Sequence, residues 1–210
     1  MTGIISGNVG RTSGLIKAAS GGGGGVWTLI KTLTSDGSDS DLSFVNGTDD
    51  VTLDSTYPIY KFVWTNIHPE TDDVDFQVGF RDGGSAYDAT KTSTFHQAYN
   101  NESGTDNALT YQSADDLAQS TSYQNLNDRL GNDNDQNSSG YLFLFGPSST
   151  THVHHFIAET NRSHAIDYTN HQFIAGYCNV AGSAIDGVQF KMSSGEIQGG
   201  KIKLYGLGDS

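Results

Sequence analysis

Hydrophobic and polar residues alternate with a period of two along much of this chain. The clearest case is Val74-Asp75-Phe76-Gln77-Val78-Gly79-Phe80-Arg81. Val74, Phe76, Val78 and Phe80 fall on one face, with the polar and small residues opposite, as in a strand buried on one side. Asp82-Gly83-Gly84 then turns the chain. Val26–Leu33 reads as a strand from its β-branched and aromatic residues, Tyr57–Trp64 from partial alternation, and Leu42–Val45 and Thr92–Tyr99 as further strands, while Asn46-Gly47 is a strong turn dipeptide. The second half adds Tyr141–Phe145, Thr151–Thr160, Ala165–Thr169, Phe173–Cys178, Ile185–Met192 and Lys201–Leu204. Short strands at regular spacing with turns between them predict an all-β fold, a single jelly-roll-like β-sandwich.

One segment departs from this period. Ser113-Ala114-Asp115-Asp116 resembles a helix N-cap with acids in its first turn. Leu117, Ala118, Tyr123, Leu126 and Leu130 would then form an apolar stripe, which Ser120-Thr121-Ser122 weakens. A short helix and an irregular loop are both open for Ser113–Leu130.

The chain also divides by composition. Gly21 to Gly25 are five consecutive glycines, whose entropy suits a flexible joint better than a packed element. Short apolar pairs interrupted by glycine precede them and cannot build a core. Residues 1–25 therefore read as an extended N-terminal arm with a glycine hinge, and residues 26–210 as the sandwich body. The arm's contact residues are expected to be Ile4, Ile5, Val9, Arg11, Leu15, Ile16 and Lys17.

Charge follows the same division. Residues 1–35 carry Arg11, Lys17 and Lys31 and no acid, whereas residues 36–210 carry 8 basic and 24 acidic residues, a net −16. An acidic body argues against nucleic acid, since phosphate binding needs clustered Lys and Arg. The basic leader is suited to an acidic docking surface. No apolar run has the length to cross a bilayer, so membrane insertion is not expected. Met1-Thr2-Gly3-Ile4-Ile5 lacks the basic and apolar regions of a secretion signal, so synthesis in the cytoplasm is expected. The single cysteine, Cys178, excludes an internal disulfide, and its flanks supply no base to activate a thiol.

Two clusters resemble metal ligands. His152 and His154 would share one face of a strand, with His164 and His171 on nearby segments, as in a cupin-like metalloenzyme. The same i, i+2 pairing arises in any polar strand face, and that reading is preferred. Asp133, Asp135, Asn137 and Ser139 offer alternate oxygens suited to a structural calcium. Counting from Asp133, the EF-hand glycine and glutamate positions hold Ser138 and Leu144, so that motif fails and a solvated turn is preferred. No G-x-S-x-G elbow is present, and the glycine run lacks the Lys and helix of a phosphate loop. No catalytic residues and no cofactor are expected.

Three stretches resemble a group of marine bacteriophage structural proteins. They are the leader Gly3-Ile4-Ile5-Ser6-Gly7-Asn8-Val9-Gly10-Arg11-Thr12-Ser13-Gly14-Leu15-Ile16-Lys17-Ala18, the middle segment Leu144–Phe156, and the ending Gly195-Glu196-Ile197-Gln198-Gly199-Gly200-Lys201-Ile202-Lys203-Leu204-Tyr205-Gly206. The resemblance implies a non-enzymatic virion component, a head decoration or tail fibre protein, and brings no catalytic residues with it. The expectation is a homotrimer or other symmetric assembly that contacts other virion proteins through the arm. The alternative is a glycan-binding receptor module at a fibre tip, with exposed aromatics such as Trp27 stacking on host-surface sugars. Trp64 alternates with Phe62 and is expected in the core.

Overall fold

The computed structural model describes residues 25–180 and 182–208. Residues 1–24, including every expected contact residue of the arm, lie outside them. The strands are β1 Trp27–Thr34, β2 Asp41–Val45, β3 Ile59–Pro69, β4 Val74–Arg81, β5 Lys91–Asn101 and β6 Asn107–Tyr111. They continue as β7 Gln124–Leu130, β8 Ser138–Phe145, β9 His154–Ser163, β10 Tyr168–Cys178, β11 Gly187–Met192 and β12 Ile197–Leu207. The described residues contain no helix. Every paired neighbour in both sheets is antiparallel.

The larger sheet has the order β1-β12-β3-β8-β9-β10-β5-β6, and the smaller β2-β11-β4-β7. Eight strands form a nest in which β1 pairs with β12, β2 with β11, β3 with β8 and β4 with β7. A long antiparallel ribbon, folded back on itself and rolled, gives this order. It is the jelly-roll topology expected from the strand spacing. Two hairpin insertions widen it. β5–β6 lies between β4 and β7 in sequence, and β9–β10 between β8 and β11, and all four strands extend the larger sheet.

The core sits between the two four-stranded layers of the nest. Val74, Phe76, Val78 and Phe80 are all buried, as the alternation in β4 requires. Phe190 of β11 lies 5.5 Å from Phe62, 5.9 Å from Phe76, 6.1 Å from Trp64 and 6.3 Å from Phe44, centroid to centroid. Such ring clusters bury large apolar area and hold preferred tilted geometries. Trp64 is 1% exposed, in the core as expected. Phe80 reaches Phe156 on β9 at 5.1 Å and ties the insertion to this core. Gly176 on β10 makes room for that ring, because a Cβ there would lie 2.6 Å from Phe156 Cζ.

One open alternative is decided and one expectation needs correction. Ser113–Leu130 contains no helix. Its first part runs irregularly beside β5, where Lys91 N–H donates to Ser120 O at 2.8 Å and Ser93 N–H to Leu117 O at 2.9 Å. Its end is β7, in which Gln124, Leu126, Asn127 and Leu130 are buried while Ala118 stays exposed. The backbone gains more by pairing with β5 and β4 than a serine-interrupted stripe gains as a helix. Ala165–Thr169 is likewise no separate strand. His164 to Asp167 form the turn between β9 and β10, with Asp167 at φ 60°, and Tyr168 already begins β10.

Candidate polar cleft

Strand register places residues of β9, β10 and β5 in rows on the inner face of the larger sheet. One row is His154, Cys178 and Lys91, the next Phe156, Gly176 and Ser93, then Ala158, Ile174 and Phe95. After them come Thr160, Gln172 and Gln97, and finally Arg162, Asn170 and Tyr99. The middle is apolar and packs toward the core. Both ends are polar, and their chemistry differs.

At the first end all three residues are buried. His154 places Nδ1 3.0 Å from Gly146 O and Nε2 3.1 Å from Ser183 O. Both ring nitrogens are thereby engaged with backbone carbonyls. His152 lies before β9 begins and is exposed, so the two histidines do not share a strand face. Lys91 donates to Ala89 O at 2.8 Å, and burial pushes its pKa down. Burial pushes the Cys178 thiol up to about 12, which leaves it a packing residue and not a nucleophile.

At the second end a hydrogen-bond chain runs outward from the core. Trp64 Nε1 donates to Ser138 Oγ at 3.3 Å, and Ser138 donates to Asn127 Oδ1. Asn127 Nδ2 donates to Gln172 Oε1 at 2.5 Å, and Gln172 Nε2 to Asp128 Oδ1 at 2.5 Å. Arg162 Nη2 donates to the same oxygen at 2.7 Å, and Nη1 to Arg129 O at 3.1 Å. Glycine at position 140 permits this approach, because a Cβ there would lie 2.8 Å from Trp64 Cζ2. The Arg162 side chain is completely buried, while Asp128 keeps 19% exposure. Burial lowers the Arg162 pKa, and the charge and hydrogen bonds of Asp128 act against that.

At this end lie two open recesses, together the polar cleft. Arg162, Asn170, Asp128, Gln97, Tyr99 and Ile166 are among the residues around the first, of about 180 Å³. Asn100, Asn101, Glu102, Asp135, Ser163 and Asp167 are among those around the second, of about 360 Å³. His164 and Tyr168 wall both. Tyr168 donates to Asp106 Oδ2 at 2.9 Å and meets Tyr99 edge-on at 5.8 Å. Burial, reinforced by the positive charges of Arg162 and Arg129, holds His164 down to about 4, so its imidazole is neutral at neutral pH. Arg129 is paired with Asp73 at 2.8 Å.

Comparison with family models, curated proteins and solved structures returned no match.

Asp135 lines the second recess, and Asp133 opens the same turn, in which its carbonyl accepts from Gln136 N–H at 2.8 Å. His171 lies 2.8 Å from Glu159, whose pKa is lowered by the hydrogen bond from Tyr141 and then by His171. Among the described residues, no group of three or more His, Cys, Asp and Glu is placed to hold a metal ion. Trp27 is 38% exposed and lies against Phe143 at 5.9 Å. Arg162, Asn170, Gln97 and Tyr168 did not stand out in the sequence. Their only trace is the inner-face phase of β9 and β10, which continues past Ala158 and Ile174 with polar residues in place of apolar ones.

Proposed function

We propose that this protein is a structural component of a bacteriophage particle, displayed on its exterior as a head decoration or tail fibre element. It is made in the host cytoplasm and built into the virion as a homotrimer or other symmetric assembly. It has no catalytic role. Residues 1–20 dock it onto neighbouring virion proteins, and the acidic body faces solvent.

The observation that carries this reading is the edge of the larger sheet at β1, with which no described strand pairs on its outer side. Native edge strands are normally short, charged or covered, because their unpaired backbone groups invite association. The start of β1 has none of these protections. Val26 is 71% exposed and Leu29 51% exposed. Trp27 continues into an outward apolar strip with Tyr141, Phe143, Phe145, Ile157 and Leu207. A contiguous exposed apolar surface of this kind belongs to an interaction site. In sequence the proposed arm runs directly into Val26 and Trp27 at this strip.

The test is deletion of residues 1–20 followed by complementation of particles lacking the protein. The expected result is a body that melts as the full chain does and no longer enters particles. Normal incorporation of the truncated protein would overturn the reading.

A further inference from the structure

The outer face of the larger sheet carries two rows of side chains that cross six strands. Leu29, Tyr205, Lys61, Phe143, Ile157 and Ala175 are register partners across β1, β12, β3, β8, β9 and β10. Thr32, Lys203, Val63, Tyr141, Glu159 and Phe173 form the neighbouring row on the same strands. Their chain neighbours Phe62, Leu142, Ala158, Ile174 and Leu204 are buried, so both rows point outward. Leu29, Ile157 and Phe173 are exposed by 51%, 47% and 41%. The first row is tall at one end and hollow at the other. Leu29 stands out at β1, whereas Thr94, Ile157, Ala175 and Gly176 are among the residues around an open recess of about 380 Å³.

We infer that this face is the contact between two copies of the chain, related by a two-fold axis along the boundary between β3 and β8. Three of the six strands lie on each side of that boundary. The axis sets β3 of one copy against β8 of the second, β12 against its β9 and β1 against its β10. Leu29 then enters the recess beside Ala175 of the second copy, and Lys203 meets its Glu159. Each contact is made twice, because a two-fold contact uses the same patch on both copies and must be self-complementary. Knob and recess lie on one face at matching distances from the boundary, which is the match a second copy needs. Two sheets packed face to face in near alignment bury such rows between them.

Charge and area agree with this partner. Residues 36–210 carry a net −16, so two bodies repel each other over most of their surface. The two rows instead hold Lys61 and Lys203 on one half and the single acid Glu159 on the other, so the two-fold brings opposite charges together. Six strands about 4.8 Å apart and the 8 residues of β8, each rising about 3.4 Å, give a footprint of roughly 29 by 27 Å. That is close to the ~800 Å² per partner of a standard stable interface. The inference rests on the reading of the strip around Trp27 as an interaction site and names its partner. Docking through residues 1–20 is separate from it.

The test begins with sedimentation velocity of the purified full chain. Twice the 22.5 kDa chain mass is expected. A monomer at roughly 100 µM, or a trimer, would overturn the contact and leave the particle assay of residues 1–20 untouched. Ile157→Glu puts a charge into the contact from each copy and should weaken the dimer at least about tenfold. Ala175→Arg, which fills the recess, serves if Ile157→Glu fails to fold. A folded variant of either kind that dimerises as the native chain does would overturn the inference. Leu29→Cys combined with Ala175→Cys reads the axis itself. The two positions are five strands apart in one chain, too far for an internal disulfide. Oxidation is expected to yield a covalent dimer from the double variant and from neither single one. A double variant that stays uncrosslinked would overturn the two-fold arrangement.

Discussion

The jelly-roll nest and its hairpin extension solve the problem of a buried sheet face in opposite ways. In the nest, β3, β8 and β12 face β4 and β11 across a layer of aromatic rings, which pack on each other with only the Trp64 indole N–H seeking a polar partner. The extension, β5, β6, β9 and β10, has no second sheet of its own width. Its inner face meets mainly β7, and beyond the Phe80–Phe156 contact it is closed by a chain of polar side chains. Apolar packing is non-directional and tolerates small shifts. A hydrogen-bonded interior works only when every member is satisfied. The contrast explains why the polar cleft lies in the extension.

The difference can be broken from either side. Phe190→Ala should have the largest effect, about 3–5 kcal/mol in urea unfolding, because the ring touches four others and its cavity cannot collapse. Arg162→Met should cost somewhat less, about 2–3 kcal/mol, because it leaves Asp128 charged but still bonded to Gln172 and partly solvated. Adding Asp128→Leu to Arg162→Met should recover much of that loss, since an apolar pair can replace a buried ion pair. No second change is expected to rescue Phe190→Ala in this way. If the double variant is less stable than Arg162→Met alone, the polar interior contributes more than an apolar one would.

Gly176→Ala probes the seam between the two regions. The added Cβ would lie 2.6 Å from both Phe156 Cζ and Thr92 O, and overpacking of this kind costs about 1–3 kcal/mol. Thermal unfolding of the variant measures it.

Acid should act on the extension through His164. Its folded pKa of about 4 lies below the ordinary 6.5. As pH falls, the unfolded chain takes up this proton first. The His164 contribution is therefore complete above pH 6.5, shrinks below it and is gone below about 4. Solvent reaching the ring through the cleft limits it to about 1–2 kcal/mol. Burial raises Asp75 and Asp115, whose shifts act in the opposite direction: their contribution is present in acid and fades as they ionise. The difference between native protein and His164→Gln across this pH range isolates the histidine. An unchanged pH profile in the variant would mean that His164 is not buried by the fold. The smallest effect is expected at the far edge, where Leu109 is 75% exposed, and Leu109→Lys should change stability by no more than about 0.5 kcal/mol.

Legibility in the sequence follows the same contrast. β4 was readable residue by residue because its inner face is wholly apolar, and Trp64 was placed in the core from its alternation with Phe62. β6 was missed because Asn107-Ala108-Leu109-Thr110-Tyr111 lies at an edge and buries almost nothing. β7 was obscured because Gln124 and Asn127 point inward, which reverses the usual sign of the pattern. The cleft was hidden for a further reason. Arg162, Asn170 and Tyr99 come from three strands, and only pairing register puts them in one row. His152 and His154 stood out because they are close in sequence, and the turn before β9 separates them.

The nest of β1 with β12 also bears on how the chain reaches its folded state. Trp27 pairs with Leu207 and Thr34 with Lys201, so the first body strand has its partner at the far end of the chain. β2 waits in the same way for β11. Contacts of such sequence separation make folding slow, because a large loop must close before the contacts can form. On the ribosome, β1 leaves the exit tunnel long before β12 is made, with Trp27, Leu29 and Leu33 uncovered. The same strand whose apolar edge we propose for attachment is therefore the one most exposed to misassociation during synthesis.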